Sequence, residues 1–155
     1  MNDVLVGKLK KGLYLESSKQ LLAWQTPFDN LKNLGKPEFK KQSDQRSDLI
    51  WTREKILNGL TVDLIIMRWF GILGMNKKFK NAHAYLSKVD FELTKKRLDK
   101  EFGKEGKHKK LNDLEYEFTW SLGECKIILK QGERFGSPIW TIQIKHQSSW
   151  LCWLK

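Results

Sequence analysis

The sequence predicts an α+β protein with an antiparallel-rich sheet and its helices packed on one face. Three observations carry that prediction. "LEYEFTW" (114–120) alternates apolar and polar residues at the period of a half-buried strand. Asn58-Gly59 separates two apolar runs, a strong hairpin signal. Residues 26–35 and 90–103 each read as an amphipathic helix stopped by a glycine, Gly35 and Gly103.

Taken in order, residues 13–16 and 20–24 read as strands. Thr26 then reads as an N-cap, Pro27 as the first helical residue and Asp29 as a first-turn acid suited to the helix dipole. Phe28, Leu31 and Leu34 share one helical face, and Pro37 prevents continuation. Residues 38–47 are polar and read as a loop. Residues 48–57 and 61–69 form the hairpin around Asn58-Gly59. In the return strand Val62, Leu64 and Ile66 face one way and Ile65, Met67 and Trp69 the other, so it is expected to be central and covered on both sides. Residues 70–89 read as a linking loop or short helix carrying Phe79, Ala82 and Tyr85.

The helix of residues 90–102 has Ser87 or Asp90 as its cap and buries Phe91, Leu98 and Phe102. Residues 103–113 read as a basic loop. Leu114, Tyr116, Phe118 and Trp120 then point inward along the next strand. Strands at 125–130 and 139–146 follow, the latter with Trp140, Ile142 and Ile144 on one face.

The two halves repeat. Gly35 precedes Trp51 by 16 residues and Gly103 precedes Trp120 by 17; Gly59 to Leu64 and Gly123 to Ile128 are each five. This is the pattern of an internally duplicated α-β-β-(β) unit, pseudo-repeats 26–70 and 90–146 within a single domain 1–155, joined edge to edge.

The chain carries 29 Lys+Arg against 18 Asp+Glu, a net charge of +11, with seven Trp and eight Phe to supply a core. The N-terminus shows no signal peptide, and no stretch is apolar and long enough to span a membrane. Cys125 and Cys152 form no C-x-x-C pair, which fits a reducing cytoplasm and no zinc site. Both are expected to be buried small hydrophobes. No phosphate-loop, dinucleotide, zinc-protease or nucleophile-elbow motif occurs, and no cofactor is expected. His83, His108 and His146 lie far apart and read as scattered surface residues. Asp113 with Glu124-Cys125-Lys126 imitates the acid…E-x-K arrangement of metal nucleases, but charged flanks of an exposed turn explain it better. The chain is therefore expected not to be an enzyme.

Residues 76–110 hold twelve Lys+Arg and five Asp+Glu. Lys77, Lys78 and Lys80 at one end and Lys107, Lys109 and Lys110 at the other would make a phosphate-attracting patch if the fold gathered them. The C-terminal "SSWLCWLK" places Trp150 and Trp153 where they either close the core or serve as contact anchors.

Trp24, Thr26, Pro27, Phe28 and Leu31, in the pattern W-x-T-P-F-x-x-L, together with the small Trp-rich α+β architecture, resemble the bacterial polymorphic-toxin immunity proteins. The resemblance implies a cytoplasmic protein that binds a cognate toxin and occludes it. Immunity proteins against basic nuclease toxins are typically acidic. A charge of +11 therefore implies a toxin with an acidic contact surface, or a toxin that is not a nuclease. The alternative is a nucleic-acid-binding protein that uses the 76–110 region.

Overall fold

The computed structural model describes residues 2–69, 78–86 and 91–147, with Trp69 described by its backbone alone. Asp3–Lys11 forms a helix, α1. The Asn2 side chain accepts from the Leu5 N–H at 3.1 Å, Asp3 lies in the first turn, and Lys8, Lys10 and Lys11 complement the dipole at the other end. Leu5 and Leu9, four apart, are its buried stripe. Two short strands, β1 (Gly12–Leu15) and β2 (Gln20–Ala23), pair antiparallel beside it.

The helix expected over 26–35 is a single turn, α2 (Phe28–Leu31). Pro27, not Thr26, takes the N-cap position, without a side-chain cap bond. The Thr26 carbonyl instead accepts from Phe79 N–H at 2.8 Å in a bridge between Pro27 and Lys78, so its backbone is committed to pairing. Gly35 ends the segment at φ +68, as its type and place required.

The main sheet has eight antiparallel strands: β3 (Glu38–Ser43), β4 (Arg46–Ile56), β5 (Leu60–Trp69), β6 (Asn81–Leu86), β7 (Lys107–Lys110), β8 (Tyr116–Leu122), β9 (Cys125–Arg134) and β10 (Ser137–His146). A longer helix, α3 (Phe91–Phe102), precedes β7. The spatial order is β3-β4-β5-β6-β10-β9-β8-β7. Each half is a four-strand meander, and the two last strands, β6 and β10, meet at the centre.

Three expected loops are strands. β3 and β7 replace the polar loop of 38–47 and the basic loop of 103–113. Each is exposed at every residue, so neither shows the alternation that marks a half-buried strand. Their lysines blunt the two edges of the sheet against pairing with other chains. β6 replaces the link carrying Phe79, Ala82 and Tyr85. Spacing by three imitates a helix there, while Ala82, Ala84 and Leu86 are the buried alternation. Leu114, expected inward, is exposed because β8 begins two residues later, after the Leu111 and Asn112 N–H groups turn back onto the Glu115 carbonyl. β5 is interior to the sheet as expected but is not covered on both sides: Val62, Leu64 and Ile66 are buried, while Ile65 and Met67 are half-buried. The caps proposed for α3, Ser87 and Asp90, lie outside the described residues, as does the tail with Trp150, Cys152 and Trp153.

One face of the sheet is aromatic and aliphatic. Phe91 of α3 meets Tyr116 edge-on at 5.2 Å, and Phe102 packs on Trp120 at 5.9 Å. Trp24, just after β2, stacks on Phe79 at 4.6 Å and His146 at 5.3 Å. Trp51 and Trp120 hold matching places. Trp51 Nε1 donates to the Leu34 carbonyl at 2.9 Å, beside Gly35, and Trp120 Nε1 donates to the Lys104 carbonyl at 3.2 Å, beside Gly103. Trp51 stands opposite Leu64 and Trp120 opposite Ile127. Ile128, which the glycine spacing set beside Leu64, is thus not the residue opposite Trp120.

Candidate interaction face of the sheet

Side chains alternate across a strand, so the residues between those core positions share the opposite face. The register arranges them in rows that cross the sheet. One row is Asn81, Lys145, Lys126 and Ser121. The next is Ile65, His83, Gln143, Ile128, Thr119 and Lys107. The third is Asp63, Tyr85, Thr141, Lys130, Glu117 and Lys109. Met67 and Ile139 extend the aliphatic part of this face.

The rows differ in electrostatics. In the third, Glu117 stands between Lys130 and Lys109, so charge alternates along it. In the first, Lys126 and Lys145 are directly opposed, and neither has an ion pair or side-chain hydrogen bond among the described residues. Like charges placed directly opposite are destabilising. Further along the face, Asp48 is 1% exposed and fully engaged: Arg46 clamps it through Nε and Nη2 at 2.8 Å each, and Gln42 Nε2 donates at 3.0 Å. Burial, then the positive charges of Lys145 and Arg46, hold His83 below the ordinary histidine range, so it is neutral at pH 7. The Gln143 amide stands 3.4 Å from its Nε2.

The lysines proposed from sequence do not form one patch. Lys78 and Lys80 lie just before β6. Lys107, Lys109 and Lys110 lie on the edge strand β7, with β10, β9 and β8 between, about 19 Å away at the usual strand spacing. Lys107 and Lys109 share the open face, whereas Lys110 stands opposite Tyr116 on the other and pairs with Asp113 at 2.7 Å. Lys77, Trp150 and Trp153 lie outside the described residues. Sequence reasoning missed Lys145 and read Lys126 only as the lysine of the E-x-K pattern. Each is an ordinary outward position of an alternating strand, and only the register makes them neighbours.

The E-x-K imitation dissolves in the fold. Asp113 precedes β8 and Glu124 follows it, so the length of that strand separates the two carboxylates. Among the described residues no group of three or more His, Cys, Asp or Glu could hold a metal ion. The histidines go to three places: His83 on the open face, His108 stacked on Phe118, and His146 against Trp24. The first and the last are half-buried, so the expectation of scattered surface histidines fails for both. Cys125 is buried beside the Leu9 carbonyl, and burial pushes its thiol up to about 11, so it stays protonated. No described helix is long and apolar enough to cross a membrane. No family model, curated protein or solved structure matches the chain.

Proposed function

We propose that this protein is a binding module that inhibits a protein partner by covering it, most concretely a cytoplasmic immunity protein that neutralises a cognate bacterial toxin with an acidic contact surface. The observation that carries the reading is the open sheet face. It sets the aliphatic Ile65, Met67, Ile128 and Ile139 around a polar His83–Gln143 pair at its centre, and intersperses them with the cationic Lys107, Lys126, Lys130 and Lys145. A surface that mixes apolar, polar and charged side chains is the composition of a non-obligate protein–protein interface. Surplus positive charge speeds encounter with an acidic surface, and well-packed apolar contacts slow release. We infer further that the helices share the aromatic face, which leaves the other for the partner. We also infer that the chain arose by duplication of a helix-plus-meander unit, for which the matched Trp51 and Trp120 bonds are the support. Nucleic-acid binding is the second reading, favoured by the opposed Lys126–Lys145 pair.

The test begins with tagged protein and native lysate, split into nuclease-treated and untreated halves. The expected result is one stoichiometric protein that survives nuclease and moderate salt. That protein should be toxic when expressed alone and harmless when co-expressed with this chain. Capture of nucleic acid alone, lost on nuclease treatment, would sink the inhibitor reading and promote the second.

A further inference from the structure

We infer that the row Asn81–Lys145–Lys126–Ser121 is an anion-binding strip that takes paired carboxylates from an extended acidic segment of the partner. This deepens the inhibitor reading and rests on it for the partner's being a protein. The placement of charge is the first argument. Among the other open-face lysines, Lys130 and Lys109 flank Glu117, Lys130 also lies 3.9 Å from the Glu115 carboxylate, and Lys107 stands on the edge strand. Lys126 and Lys145 face each other with no acid in their row and no counter-ion among the described residues. The nearest acid in sequence, Glu124, turns to the other side and pairs with His146 at 3.4 Å. Asn81 and Ser121 flank the lysines with neutral hydrogen-bonding groups. Lys80 adjoins one end, and Lys104, whose Nζ donates to the Ser121 carbonyl, adjoins the other.

The register sharpens this. The pairings of β6 with β10 run symmetrically about the central His83–Gln143 pair: Tyr85 opposes Thr141 on one side, and Lys145 opposes Asn81 equally far on the other. The same half-turn relates Leu64 to Ile127, the partners of Trp51 and Trp120. The position equivalent to Lys126–Lys145 is therefore Asp63–Tyr85, which are also directly opposed. The architecture repeats and the charge does not.

Cross-strand Cβ atoms lie about 5 Å apart, and two lysine stems splay easily from there. Carboxylates at alternate positions of an extended segment project on one side about 6.5–7 Å apart, within reach of both ammonium groups. A nucleic-acid strand would also ask for rings on which to stack its bases. The neighbouring row offers Gln143, Ile128 and Thr119 beside the lysines, with the half-buried His83 ring beyond Gln143, and the exposed Tyr85 lies one row further on.

The test uses two probes, an alternating Glu-Thr decapeptide and a ten-residue oligothymidylate, each titrated into the full chain with amide shifts and anisotropy as readouts. The peptide should shift Asn81, Ser121, Lys126 and Lys145. The double change Lys126→Ala with Lys145→Ala should weaken it about tenfold, and Lys107→Ala with Lys109→Ala less than about twofold. Lys126→Glu alone should abolish peptide binding while raising Tm by about 1–2 °C, because it turns a repulsive pair into an attractive one. Tighter binding of the oligonucleotide, equal losses in the two double variants, or a fall in Tm for Lys126→Glu would each overturn the proposal. Full capture of the cellular partner by the Lys126/Lys145 variant would overturn the strip and leave the inhibitor reading standing. Peptide binding at the strip with no protein captured by wild type would do the reverse.

Discussion

Gly12→Ala and Gly7→Ala are the same chemical change five residues apart, and the structure gives them opposite signs. A Cβ on Gly12 would stand 2.2 Å from the Leu22 oxygen and 2.8 Å from the Ala23 Cα. Both are backbone atoms of the paired strand β2, which cannot yield like a flexible side chain. The φ of Gly12 is 167, ordinary extended backbone, so the cost is close approach and not strain. Relief requires β1 and β2 to part, which would lift Trp24 from Phe79 and His146. Overpacking of this kind costs about 3 kcal/mol, or roughly 6–12 °C in Tm for a chain of this size. Gly7 lies inside α1 with nothing within 4 Å of the added methyl. Alanine there gains about 0.5–1 kcal/mol of helix propensity, or roughly 1–4 °C. Urea unfolding followed by tryptophan fluorescence reads both. A Gly12→Ala midpoint equal to wild type would refute the packing argument, and a lowered Gly7→Ala midpoint would refute the helical assignment of the N-terminus.

Three further predictions concern charge and the paired tryptophans. His83 is held below its unfolded value, so the unfolded chain binds its proton first as pH falls. Stability should drop between pH 7 and 5.5, by less than about 1.4 kcal/mol per pH unit, and His83→Gln should flatten that slope; identical slopes would refute it. The Glu101 carboxylate accepts from Asn58 Nδ2 and Asn2 Nδ2 at 2.8 Å each, bonds that hold it below the usual range and tie α3 to α1 and to the β4–β5 turn. Glu101→Ala should cost about 1–2 kcal/mol in urea unfolding, and a loss under about 0.3 would show the tie to be idle. Trp51→Phe and Trp120→Phe should each cost about 1–2 kcal/mol. Trp120 should cost more, because its indole also donates to Asp99 at 3.1 Å; the reverse order would contradict that bond.

Elements with a buried stripe were legible in the sequence. The hairpin at Asn58-Gly59, the buried face of α3 and the alternation of β8 and β10 all follow from periodicity and turn chemistry. The edge strands were not, because β3 and β7 bury nothing and their pairing is visible only in space. β6 was hidden by its alanines, which carry too little apolar signal to reveal an alternation. α1 was hidden by Gly7 and two valines, although Asn2 and the late lysines mark both of its ends. The charged surface was read by sequence proximity, which grouped Lys78 with Lys107. Strand order separates those two and joins Lys126 with Lys145.

That regrouping follows from how an antiparallel sheet is built. A meander brings residues together by register, so positions far apart in sequence can be nearest neighbours, and a run of lysines on one strand is divided between two faces. Lys107, Lys109 and Lys110 are divided in this way, and their exposure on an edge already gives them a structural use. Lys126 and Lys145 have no such use. They sit on interior strands, where an edge needs no guarding, and their mutual repulsion weakens the pairing that carries them. A feature that costs stability, at a site where the other half of the chain places an acid and a phenol, is where a partner's charge is the simplest compensation.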